Sequence, residues 1–275
     1  MALITIEEIE GVSPVFKGRI GHAFAKTLMR ITGINQLAER YAAREDMSGP
    51  DFVEAFLDDL DFHYEVEGLE HLKTIENGPF ITISNHPYGG LDGLILIDLF
   101  GHFRSDYKVM ANKFLSLAKT IKDSFISVVP LTDDTKSVMS ENQRGLRKAI
   151  QHIKEGHPMG LFPAGAVSDY SFKDRCVRDR QWQESAVKFI RKMKVPVLPV
   201  HFLDKNSWFY YSLGLIDWRI RTLRLPREIL NKIGKTIRLR IGEAISVEEQ
   251  LRYTEDEYGL MIRNSVYNLS VCKLL

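Results

Sequence analysis

The chain has little cysteine, no long apolar run and almost no net charge, and each shortage removes a class of protein. Cys176 and Cys272 are its only cysteines. They are too few for a disulfide framework or a thiolate metal site and suit a reducing compartment. No stretch approaches the roughly 20 apolar residues of a membrane-spanning helix; the most apolar pieces are short, such as "GLILIDLF". The expected relation to a bilayer is therefore peripheral, without a transmembrane helix. The 37 Lys and Arg nearly cancel the 36 Asp and Glu, so total charge points to neither nucleic acid nor membrane, and only a local excess can. The N-terminus "MALITIEEIEGVSP" carries acids and no basic n-region, which does not read as a signal peptide and gives the cytoplasm as the expected compartment. What remains is 275 residues, 44% of them hydrophobic, enough for one sizeable core.

Residues 1 to 60 read as helical. In "FKGRIGHAFAKTLMRITG" the apolar Phe16, Ile20, Phe24, Leu28 and Ile31 recur at helical spacing, with Arg19, His22, Lys26 and Arg30 on another side. Such a helix either covers the core or lies on an anionic lipid surface. "DMSGPDFVEAFLDDL" opens a further helix, with Ser48 or Gly49 near the cap and Pro50 in the first turn. From residue 62 short β-rich runs alternate with helical ones. "FHYEVEG", "FITIS", "YKVMAN", "FISVVPL", "MGLFP", "VPVLPVHF" and "TIRLRIG" read as strands, and "LDGLILIDLF", "NQRGLRKAIQHIKEG" and "RQWQESAVKFIRKM" as helices between them. This pattern gives an α/β fold, a mixed and mostly parallel sheet flanked by helices, preceded by the helical segment.

"SNHPYGGLDG", residues 84 to 93, follows the apolar "FITI" and precedes an apolar helix. His86 is thereby placed at the C-terminal edge of the sheet, where open α/β sheets carry ligands. The glycines permit a tight turn and close backbone approach. Their spacing fits neither the dinucleotide nor the phosphate-loop pattern, and His86 with Asp92 lacks a third ligand at metal-site spacing. A His and an Asp held together by a turn can instead act as a base and its orienter: Asp92 fixes the imidazole tautomer so that the other nitrogen takes a proton from a nucleophile. A structural His beside an Asp fits the same residues.

Here the chain resembles a known family, the membrane-associated, PlsC-like glycerolipid acyltransferases. "NHPYGGLD" is similar to their N-H-x4-D signature with one extra residue, the form of the hemolysin-like, ornithine- and glycine-lipid branch. "DSFISVVPLTDD", "GLFPAGAVSDY" and "VPVLPVHF" resemble their later blocks in the same order. The resemblance spans about residues 60 to 250 and implies an acyltransferase domain over 61–275, with 1–60 as a membrane-associating segment. It implies acyl transfer from a thioester on coenzyme A or acyl carrier protein to the hydroxyl of a lyso-lipid, with His86 as base, Asp92 as orienter and no metal or organic cofactor. The substrate side would include Asn85, Gly89 and Gly90 of the first block, Lys113, and Phe162, Pro163, Gly165 and Ser168 of the third. Backbone N–H groups of the glycine turn or of "PAGA" are the candidate oxyanion donors.

Two departures bear on the acceptor. Ala164 stands where the third block normally has Glu, and "FISVVPLTDD" lacks the Arg that pairs with a phosphate in phosphate-accepting members. Without a bidentate partner a phosphomonoester is poorly held, which favours an N-acylated amino-acid lipid of glycine or ornithine type over lysophosphatidic acid. Lys113, Arg175, Arg178 and Arg180 are candidate cations for a carboxylate or phosphate, and a solvated surface position fits each of them at least as well. A basic excess lies at Arg219, Arg221, Arg224, Arg227, Lys232, Lys235, Arg238 and Arg240, after the aromatics Trp208, Phe209, Tyr210, Tyr211 and Trp218. Anionic lipid fits that combination better than nucleic acid, for which no motif is present; "TIRLRIG" fits a plain strand equally well. The expected location is the cytoplasmic face of the inner membrane. A lipid-binding, hemolysin-like protein without catalysis is the rival of another class.

Overall fold

The computed structural model describes residues 18–112, 118–128 and 136–270. Three helices come first: α1 (Gly18–Thr32), α2 (Ile34–Ala42) and α3 (Gly49–Asp59). The alternating part follows as β1 (His63–Glu67), β2 (Ile81–Ser84), α4 (Gly90–Phe103), β3 (Lys108–Asn112), β4 (Phe125–Val128), α5 (Lys136–Lys154) and β5 (Met159–Leu161). Then come β6 (Asp169–Ser171), β7 (Cys176–Arg178), α6 (Glu184–Met193), β8 (Val197–Phe202), α7 (Trp208–Ile216) and α8 (Trp218–Leu230). The last elements are β9 (Thr236–Ile241), α9 (Val247–Gln250) and α10 (Glu255–Tyr267).

Seven strands form one sheet in the order β1-β9-β8-β2-β5-β3-β4. The pairs β8/β2, β2/β5, β5/β3 and β3/β4 are parallel, and β9 runs antiparallel to β8 with β1 parallel to β9. The mixed, mostly parallel α/β sheet read from the sequence is present, and each of the seven strand runs forms a strand. What periodicity did not supply is the β6–β7 hairpin and helices α7 to α10.

Side-chain alternation along β2 divides the core between the two sheet faces. Ile81 and Ile83 join a cluster with Ala149, Ile153, Phe189 and Ile190 of α5 and α6 and with Tyr258 and Ile262 of α10. On the other face Leu198, Val200 and Phe202 of β8 pack with α4 and with Phe52, Val53, Phe56 and Leu57 of α3. The α4 sequence is apolar around its whole circumference and is buried on nearly all sides, as such a helix must be. Gly101 lets α4 approach Pro50 at the start of α3 closely. On α1 the apolar stripe only partly covers the core: Leu28 is half-buried and Ile31 is 64% exposed, while Met29, outside the stripe, is buried. Phe16 lies outside the described residues.

Candidate functional site

The site grows from the end of β2. Asn85 leaves the strand and clips it to β8: its Nδ2 donates to the Phe202 carbonyl at 2.9 Å and its Oδ1 accepts from the Phe202 N–H at 2.8 Å. The chain then turns through residues 86–89 into α4. Gly89 has φ +82°, a conformation that side chains with a Cβ rarely adopt, and Leu225 and Val167 press on the face a Cβ would occupy. Asp92, in the first turn of α4, is the third position after the cap. Its Oδ2 accepts the Tyr88 N–H at 2.9 Å and the Gly89 N–H at 3.1 Å, satisfying donors that the helix cannot.

The same Oδ2 lies 2.8 Å from His86 Nδ1. The contact is bent away from the ring N–H axis, so it orients by charge more than as a linear hydrogen bond. The His86 ring stacks on Phe162 with centroids 4.0 Å apart, which fixes its plane. Nε2 makes no hydrogen bond among the described residues. Asp92 is fully buried, and burial pushes its carboxyl up from the ordinary carboxylate range; the His86 contact and the two backbone N–H groups oppose that rise. An alcohol brought to Nε2 would meet an imidazole whose other nitrogen is already beside a carboxylate.

The backbone of the turn is pinned from three distant segments. Asp179 Oδ1 accepts the His86 N–H at 3.1 Å, the His86 carbonyl accepts the Ser168 N–H at 2.8 Å, and Asn206 Nδ2 donates to the Pro87 carbonyl at 3.0 Å. Asp179 is itself buried, and burial raises its carboxyl against the pull of Ser168 Oγ, at 2.5 Å, and of the His86 N–H. Lys232 extends the network: its buried ammonium donates to Asn206 Oδ1 and to the Glu228 carbonyl and sits 4.6 Å from the Tyr88 ring centre. Burial lowers the Lys232 pKa to about 8. Asp179 and Asn206 escaped the sequence reading, and Lys232 entered it only as one of the basic residues between 219 and 240. They lie 93 to 146 positions after His86 in no motif, and only the fold brings them together.

The sequence-derived candidates divide on inspection. His86, Asp92 and Phe162 converge. The Asn85 amide is committed to the β2–β8 clip, and the Ser168 hydroxyl to Asp179, so both act here as struts and not as exposed substrate contacts. Gly89 N–H is committed to Asp92 and Gly165 N–H to the Phe162 carbonyl, which removes these two from the candidate oxyanion donors. Pro163 is buried, with its carbonyl receiving the Gln183 N–H at 2.9 Å; Gly90 opens α4 and is half-buried; Gly165, at φ +65°, is exposed beside the Gln183 side chain. Lys113 lies outside the described residues, as does the second block beyond Val128. Ala164 is buried in the apolar cluster with Trp182, where a Glu carboxylate would be desolvated.

The basic excess is largely consumed by partners invisible in one dimension. Arg221 pairs with Asp169, Arg224 with Glu228, Arg238 with Asp204 and Arg240 with Glu67. Arg178 and Arg180 pair with Asp174 and Asp169. The run "TIRLRIG" is indeed a strand, with Arg238 and Arg240 on its wetter side. Beside the turn, lined by Pro87, Tyr88 and Ser168 but not by His86, lies an open cavity of about 770 Å³ whose lining also includes Lys205, Lys232 and Lys235 with Asp204 and Glu228. Its size suits a lipid head group or a segment of chain.

A family model described as Acyltransferase matches residues 19–271. The chain is 28% identical over 229 residues to a lyso-glycine lipid O-acyltransferase of Phocaeicola vulgatus, covering 80% of this chain and 78% of that one. It is also 28% identical over 233 residues to a lyso-glycine lipid O-acyltransferase of Bacteroides thetaiotaomicron, covering 82% of each. Among solved structures it is similar to the 1-acyl-sn-glycerophosphate acyltransferase PlsC of Thermotoga maritima, with a TM-score of 0.45 at 18% identity over 79% of each chain.

Proposed function

Because the chain belongs to the acyltransferase family, and so is an enzyme that moves acyl groups, we propose that it esterifies the hydroxyl of a lyso-glycine lipid with a fatty acyl chain from an acyl thioester. The observation that carries this reading is the His86–Asp92 pair at the C-terminal edge of the sheet, with Nδ1 2.8 Å from the carboxylate and Nε2 without a hydrogen bond among the described residues. His86 Nε2 removes the acceptor's hydroxyl proton as the oxygen attacks the thioester carbonyl, and Asp92 stabilises the imidazolium that results. The tetrahedral adduct then collapses: the C–O ester bond stays, the C–S bond breaks, and the departing thiolate takes the proton back from His86. A thioester is already activated, so the reaction asks for no metal or organic cofactor. Coenzyme A or acyl carrier protein carries the donor chain in this reading.

The acceptor assignment draws on the names of the two relatives, on the buried Ala164 in place of a carboxylate, and on the lack of an Arg in "FISVVPLTDD". Lys232, Lys205 and Lys235 at the cavity offer positive charge to the carboxylate of an amino-acid head group. Among the described residues no helix is long and apolar enough to cross a membrane. In this reading the enzyme sits peripherally on the cytoplasmic face of the inner membrane, with residues 1–60 as a membrane-associating helical segment and 61–275 as the acyltransferase domain.

The test offers the purified protein a labelled acyl thioester, on coenzyme A and on acyl carrier protein separately, with either lyso-glycine lipid or lysophosphatidic acid. Labelled diacyl glycine lipid is the expected product. Transfer to lysophosphatidic acid alone overturns the acceptor, and free fatty acid without acceptor identifies a thioesterase. Lipid binding without any transfer would leave a non-catalytic lipid-binding protein.

A further inference from the structure

We propose that the helical hairpin α7–α8 is a docking surface for an anionic lipid bilayer, seated in its interfacial layer. The hairpin is built inside out. Its two helices are joined by the single residue Asp217, whose side chain caps α8 by accepting the Arg219 N–H at 2.6 Å. The groups it buries include the charges of Arg221 and Glu228, while it exposes Trp208, Phe209, Leu215, Ile216, Trp218 and Leu223. Ile216 is 76% exposed and Leu215 60%. Single exposed apolar residues need no explanation, but a cluster of this size on one short hairpin marks an interaction site. The neighbouring β6–β7 hairpin extends it through Phe172, which is 69% exposed and meets Tyr170 edge-on, as Tyr170 meets Trp208.

Charge selects the occupant. Lys205 lies over the Trp208 ring at 4.4 Å, Arg224 over Phe209 at 5.1 Å and Arg219 over Trp218 at 5.5 Å. Aromatic rings with cations over their faces suit a bilayer interface, where the ring sits at head-group depth and the cation meets phosphate. Between residues 205 and 227 the only acid is Asp217, which is half-buried at its capping position. The helical hairpin itself therefore complements negative lipid. A protein interface would bury these side chains against another surface; a bilayer takes them together with their mobile cations and needs no shape match.

The position is as telling as the composition. From α8, Leu225 packs toward Gly89, and Arg221 pairs with Asp169 and donates to the Ser168 carbonyl. The hairpin is thus fastened to the segments that hold His86. A bilayer on its outer face would deliver a lipid acceptor beside the catalytic turn; this last step rests on the function proposed above, while docking itself does not.

The full chain is tested by co-sedimentation with vesicles of phosphatidylcholine, with and without phosphatidylglycerol, against Leu215→Asp/Ile216→Asp and Arg219→Glu. Both alter exposed positions, so melting temperature is expected to stay at the parent value, as is transfer to a short-chain, water-soluble acceptor. Vesicle affinity is expected to fall at least tenfold for the double variant. For the arginine variant it should fall several-fold, and only on vesicles containing phosphatidylglycerol. Parent-like vesicle binding by the double variant overturns the proposal and transfers docking to another segment. A lipid-free parent that is dimeric by light scattering, and monomeric once Leu215 and Ile216 are changed, makes the hairpin an interface between two copies and also overturns it. A parent that docks through the hairpin yet transfers no acyl chain would refute the proposed function and leave the docking surface standing.

Discussion

Residues 86 to 92 and residues 208 to 230 adjoin in space and follow opposite rules. In the turn, backbone groups at His86, Pro87, Tyr88 and Gly89 are matched by partners from α4, from the segment before β6, from Asp179 after β7 and from Asn206 before α7. In the hairpin, Arg221 and Glu228 go inward with Tyr210 and Tyr211, while Leu215, Ile216 and Trp218 face out beside the exposed Arg219. The first arrangement fixes one imidazole to within a rotamer; the second leaves apolar area whose natural complement is outside the protein. Precision of chemistry belongs to the turn and location of the protein to the hairpin, which explains why one is over-determined and the other is not.

The contrast sharpens most under Asp92→Asn. An amide cannot stabilise an imidazolium, and it can present a donor where Tyr88 and Gly89 already donate. Acyl transfer is expected to fall about 10²- to 10⁴-fold in a steady-state assay. Next comes Ala164→Glu, which restores the family's usual residue but places a carboxylate beside Trp182. Chemical denaturation is expected to show a loss of about 3 kcal/mol or more; parent-like stability would mean that the third block is more open than its burial indicates.

His201, near the end of β8, makes stability depend on pH. Buried, and with Nδ1 unpartnered, it has its pKa lowered to about 4 by desolvation and then by the charge of Arg240. Between pH 6.5 and 4 the unfolded chain binds this proton and the folded one does not, so stability is full above pH 6.5 and is lost as the pH falls to about 4. The loss sums to about 3 kcal/mol across that window. In His201→Phe the acid-side slope should flatten by about one proton, measured by denaturation at a series of pH values. The smallest effect is expected of Leu215→Ser: below about 0.5 kcal/mol in stability, because the side chain already faces solvent. A large loss there would break the comparison, since it would show the hairpin covering core.

The legibility of these regions in sequence follows the same physics. His86 and Asp92 are six positions apart across one glycine turn, so their meeting is a local event that strand, turn and helix patterns expose. The strands were legible because each is a short apolar run, or in "FHYEVEG" and "TIRLRIG" a short alternating one, closed by a turn residue. Asp179 and Asn206 were not, because a buried polar strut looks in one dimension like any loop residue. The ion pairs of Arg221, Arg238 and Arg240 were hidden for the converse reason: their partners Asp169, Asp204 and Glu67 are supplied by other elements. "WFYYSLGLI" hid its helix because apolar residues fill nearly every position and leave no period to detect.

The most direct test of the catalytic assignment is single-turnover acyl transfer by His86→Ala, with vesicle binding and melting temperature measured on the same preparation. A rate lower by at least about 100-fold with binding and melting retained is the expected result. Transfer at the parent rate would contradict it, and the proton would then have to leave the acceptor by a route that does not involve His86.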